Sequence, residues 1–197
     1  IPLDAERRWY RYHHLFAELL RARLNSLRPT AATELHLKAA HWFEQTGALD
    51  EAIGHALAAR AFDRAADLIE QAWTRVMYSG QVVTVLNWLD ALPAKVLRDR
   101  PLLNVAYGWG MVLRAQHAAA EPRLQAAEAT LNQQLAAGTL LPSDRLVRRT
   151  QAEAACLRSL AARARGESAQ ARAYAEQAIT LSPDDAQPMR DLVKLAR

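Results

Sequence analysis

At 197 residues, 51% of them hydrophobic and 23% charged, the chain has the apolar content to bury a core, which excludes a disordered segment or a disulfide-stapled miniprotein. A formal charge of +4, from 25 Lys and Arg scattered among 21 Asp and Glu, forms no basic stripe and argues against a nucleic-acid interface. The single Cys156 excludes an internal disulfide and a thiolate metal cluster, and no apolar run approaches the roughly 20 residues of a membrane span, so a cytoplasmic protein is expected.

Gly and Pro are few, Ala and Leu abound, and an all-α fold is predicted. Residues 1–12 alternate unevenly around Pro2, Leu3, Trp9 and Tyr12, which suits two short strands and a turn. From His14 the period changes: Leu15, Leu19 and Ala22, with Phe16, Leu20 and Leu24, recur at helical steps until Pro29. A second helix runs from about Thr30 to Gln45, with Gly47 as its left-handed cap, and a third begins at Asp50. Phe62 to Val76 continues the amphipathic theme as far as Ser79-Gly80. Further helices are predicted over Val82 to Leu92, Leu102 to Ala115, Ala118 to Ala136, Asp144 to Arg165 and Glu167 to Leu181, with one more behind Ser182-Pro183-Asp184-Asp185. Gly138 to Pro142 reads as a flexible joint. The chain starts at Ile1 without Met, in what reads as the middle of an element, so excision from a longer protein is expected.

One regularity stands out. Small residues recur at spacings of 12 and then 7: Ala40, Ala52 and Ala59; Gly108, Ala120 and Ala127; Ser159, Ala171 and Ala178. In each triplet the first lies in one predicted helix and the other two in the next, as a helical hairpin requires where its backbones approach closely. The pattern resembles the tetratricopeptide repeat, most clearly from Gly166 to Pro183 (GESAQARAYAEQAITLSP). The triplets start 68 and then 51 residues apart, so the pair between the first two is degenerate and the superhelix irregular. A compact helical bundle is the alternative.

Several phrases then match in order those of the MalT-like family of large, ATP-dependent, LuxR-type transcriptional activators. Trp9 to Arg21 (WYRYHHLFAELLR) resembles the end of the family's winged helix, behind a wing strand at Ile1 to Asp4. Leu35 to Gly47 (LHLKAAHWFEQTG), Leu49 to Ala59 (LDEAIGHALAA), Ala65 to Glu70, Trp88 to Pro93 and Arg100-Pro101 resemble the opening of its superhelical sensor. The resemblance implies a winged-helix end over residues 1–28 and a tetratricopeptide-like sensor over 29–197, which detects a small-molecule inducer or regulatory protein and promotes self-association. ATP would be bound by a nucleotide-binding domain, and DNA by a helix-turn-helix domain, neither present here. The seven glycines hold no phosphate loop, so no cofactor is expected in this stretch.

Catalytic readings fare poorly. His13 and His14 point to different faces, His36 and His41 are five apart, and Cys156 sits in an apolar run without a nearby His. Asp50-Glu51 and Asp184-Asp185 open predicted helices, where they complement the dipole. No enzyme activity is expected. Counting from the triplets, the ligand-facing side of the first helices carries Leu37, His41, Glu44 and Gln45, then Val105, Trp109, Val112 and Leu113, then Cys156, Leu160 and Arg163. Such a groove suits a small organic ligand or a peptide; a protein-interaction scaffold without any small molecule is the rival reading.

Overall fold

The computed structural model describes residues 12–182. These form ten α-helices: α1 (His14–Leu27), α2 (Pro29–Gln45), α3 (Leu49–Ala58), α4 (Phe62–Tyr78), α5 (Val82–Asp90), α6 (Ala94–Arg98), α7 (Pro101–Leu113), α8 (His117–Ala136), α9 (Arg145–Ala164) and α10 (Ser168–Leu181). No strand occurs among the described residues. The strands expected in residues 1–12 and the helix expected behind Ser182 fall, Tyr12 apart, outside them.

The punctuation is largely that of the sequence. Pro29 and Pro101 open α2 and α7, where a missing N–H costs nothing. Gly47 takes φ +78°, which lets the Ala48 N–H return to the Phe43 carbonyl at 2.9 Å and close α2. Arg60 and Ala115 adopt the same left-handed backbone without being glycine. One element differs from expectation. The single helix read from Val82 to Leu92 stops at Asp90, and Pro93 starts a separate short α6 that buries Leu97. Asn104, itself buried, donates from its side-chain amide to the Leu97 carbonyl at 2.6 Å and so closes α6.

The chain divides into two compact units, Ile1–Ala61 and Phe62–Arg197. In the first, α1 packs on α2 and α2 on α3. In the second, α7 pairs with α8 and α9 with α10, while α4 and α5 pack on each other and both reach α7. All nine small residues of the triplets are buried in these hairpins. A side chain on Gly108 would come within 3.3 Å of Leu157 Cδ1 and 3.6 Å of Leu124 Cδ2, and Ser159 spends its hydroxyl across the seam on the Ala171 carbonyl at 2.8 Å.

The pair α4/α5 lies where the sequence predicts a degenerate repeat. One 34-residue period after Ala40, Ala52 and Ala59 stand Thr74, Leu86 and Pro93. Leu86 is too large for a close seam, and the space is found on α7 instead. A Cβ on Gly110 would stand 2.6 Å from Leu86 Cδ2 and 2.9 Å from its Cγ, so this glycine is the hole for that knob.

Candidate functional site

The strongest concentration of chemistry lies on one stripe of α9 in the second unit. Arg149, Glu153 and Cys156 follow at steps of four and three, which places them on one helical face. Glu153 is only 3% exposed and accepts a hydrogen bond from Trp109 Nε1 at 2.9 Å, which joins α9 to α7. Arg149 reaches the other way. It donates to the Glu70 carbonyl at 3.2 Å and to Thr74 Oγ1 at 2.8 Å, and its guanidinium lies 5.8 Å from the centre of the Trp73 ring, which joins α9 to α4.

Burial dominates the electrostatics of this stripe. It pushes the Glu153 carboxyl up to about 7, against the opposing pull of Arg149 and of the Trp109 hydrogen bond. The Cys156 thiol is pushed up to about 12, first by burial and then by Glu153. The Tyr78 hydroxyl is raised for the same reasons, and its ring meets Trp109 edge to face at 6.5 Å. A thiol so held is a buried apolar filler with little thiolate character. Glu153 is a different matter, since its proton changes hands near neutral pH.

Beside this stripe α4, α7 and α9 enclose a polar hollow of about 650 Å³, bordered by Arg64, Asp67, Gln71, Leu102, Arg145 and Arg149. Its acidic wall is already engaged: Arg100 stands 2.5 Å from Asp67 and 3.6 Å from Glu70. Burial raises the Glu70 carboxyl, and Arg100 opposes the rise. A second charged tie lies between α8 and α9, where Arg158 pairs with Glu128 and, at 3.0 Å, with Glu121.

The residues expected on the ligand-facing side separate into two kinds. Val105, Trp109, Val112 and Cys156 are buried, because α7 packs directly against α9 and each covers the other's flank. Trp109 is therefore part of the unit's interior, bound to Glu153, and not an open platform. Leu113 is 51% exposed at the end of α7, Leu160 is half-buried, and Arg163 is exposed in the last turn of α9. In the first unit Leu37 and Gln45 are exposed, Glu44 is half-buried, and Gln45 Nε2 lies 2.9 Å from His41 Nε2 one turn away on α2. The spacing count missed Arg149 and Glu153. Their signal was present as two charges four apart, the second inside the apolar run AEAACL.

A family profile described as the MalT winged helix domain matches residues 1–32. The chain is 36% identical over 123 residues to the serine/threonine-protein kinase PknK of Mycobacterium tuberculosis, a match covering 62% of this chain and 11% of that one. It is 30% identical over 184 residues to the HTH-type transcriptional regulator MalT of Yersinia enterocolitica, covering 92% of this chain and 19% of that one. To MalT of Vibrio parahaemolyticus it is 27% identical over 116 residues, covering 59% and 13%. The chain thus spans less than a fifth of the length of these relatives. No solved structure matches it. The winged-helix match at the start of the chain and the likeness along nearly the whole of its length make the chain similar to a segment of the MalT-like regulators.

Proposed function

We propose that this segment is the effector-sensing and interaction region of a MalT-like, LuxR-type transcriptional activator, in which tetratricopeptide-like helical hairpins receive an inducer and pass the event on as oligomerisation. The observation that carries the reading is the burial of all nine small residues in three hairpins behind a winged-helix match. Such hairpins offer a broad surface, and on this reading the segment acts by binding. The nucleotide and the promoter are handled by other domains of the full regulator, in the cytoplasm. In the second unit the polar hollow beside Arg149 is the place for the effector, because it combines size with several charged donors around one apolar wall.

A metabolite library screened by thermal shift against the segment tests this, followed by sedimentation of the full-length regulator with ATP and each hit. The expected result is saturable stabilisation by one chemical class, and larger assemblies with that class alone. A second reading is favoured by the match to PknK, a protein named as a kinase: the segment serves as a protein-interaction scaffold with no small molecule. A stable protein partner recovered with the segment, together with a silent metabolite screen, would replace the first reading by the second.

A further inference from the structure

In the first unit, α1, α2 and α3 enclose another hollow, of about 490 Å³. Leu24, Leu35 and Ala39 supply apolar wall, and Arg21, His36 and His55 supply polar groups. Among the described residues no Asp or Glu borders it. The two histidines are held as a pair: Nδ1 of His36 lies 2.8 Å from Nδ1 of His55, and the Phe43 ring stacks on His55 at 5.3 Å with the planes 13° apart. One proton serves that contact, so one ring donates and the other accepts. Each ring then keeps its Nε2, one as an N–H donor and one as an acceptor, and neither makes a hydrogen bond within the described residues.

We infer that this hollow binds an organic carboxylate with an apolar body, its chain against Leu24, Leu35 and Ala39 and its head group received by Arg21 and the His36–His55 pair. Charge decides the head group. A cationic ligand would face a guanidinium, two imidazoles and the Thr33 hydroxyl, with Glu51 near His55 but outside the lining, and a neutral one would forgo the charge-assisted hydrogen bonds that a guanidinium makes with a carboxylate. The volume falls in the range of small-molecule sites. The inference stands independently of the sensing role proposed above, because it requires occupancy and no coupling.

The test is calorimetric titration of the whole segment with decanoate, decan-1-ol and decylamine, at concentrations below micelle formation. Decanoate is expected to bind saturably at one site, decanol about tenfold more weakly, as for loss of one charge-assisted hydrogen bond, and decylamine not measurably. Arg21 is exposed, so Arg21→Gln keeps the fold and weakens decanoate about tenfold, to the level of decanol. Ala58→Trp, at an exposed position on the rim, abolishes binding while helicity by circular dichroism is unchanged. Equal affinity for decanoate and decanol, an Arg21→Gln variant that binds decanoate as well as the parent does, or no saturable binding at all would overturn the inference.

Discussion

The first unit leaves Leu15 and Leu19 of α1 63% exposed and Leu27 68% exposed, whereas the second sequesters Trp73, Leu68, Leu102, Leu103 and Leu157 almost completely and buries Glu153 among them. Both are built from the same kind of amphipathic helix. A hydrophobic stripe thus defines which face of a helix seeks cover and says nothing of how much cover it finds. In the second unit the cover is thick enough to hold a carboxyl group at a perturbed proton affinity. In the first, the titratable pair His36–His55 sits at the wall of an open hollow, and its chemistry stays in reach of solutes.

The largest effect expected from breaking this contrast is that of Trp109→Ala. Removing a 2% exposed indole and orphaning Glu153 should cost about 3–5 kcal/mol in urea unfolding of the second unit. Next comes the pH dependence. Glu153 titrates at about 7 in the folded unit, above the ordinary 4.5, so the folded state holds the proton more tightly. Its contribution is complete below pH 4.5 and is lost as the pH rises towards 7, on the order of 3 kcal/mol in all. Glu153→Gln should flatten that part of the stability profile, and an unchanged slope would show that the carboxyl is ionised throughout.

Two glycines on α7 sharpen the comparison between seams. Gly110→Ala should destabilise by about 1–3 kcal/mol, and by less in a Leu86→Ala background, because the added methyl strikes Leu86 at both Cδ2 and Cγ. Gly108→Ala crowds the tip of Leu157 and meets Leu124 at ordinary contact distance, and the gain in helix propensity, up to about 1 kcal/mol, offsets the crowding, so thermal unfolding should show a much smaller change. Ser159→Ala removes one hydrogen bond across the α9/α10 seam and should cost about 0.5–1.5 kcal/mol. Smallest is the response of His55, whose proton affinity is lowered by burial and then by His36. Its neutral form is favoured by folding, so stability is lost as the pH falls below 6.5, the reverse of the Glu153 profile. Histidine resonances followed by NMR across that range would show it.

The fold was legible wherever periodicity and punctuation agreed. Pro29, Gly47 and Gly80 bounded helices within a residue or two of where they lie, and the small-residue spacing located all three hairpin seams. What the sequence hid was pairwise. Nothing in a linear count says that Gly110 answers Leu86, since the two lie on different helices, α7 and α5, and each looks ordinary in its own. The candidate site was obscured for a related reason. Counting from the triplets identifies the inner side of a first helix, but α7 and α9 lie flank to flank, so Trp109 and Cys156 vanish between them and Glu153 becomes their common neighbour. Burial of a charge is a property of the assembled helices, and a lone Glu in an apolar run was its only trace.

The Leu86–Gly110 contact also bears on how freely one helix can turn against another. A side chain seated in a gap with no Cβ behaves as a detent: α7 cannot roll about its own axis past α5 until that leucine is withdrawn. The rotational setting of α7 against α5 thus rests on that residue pair, a latch made of one large side chain and one missing one.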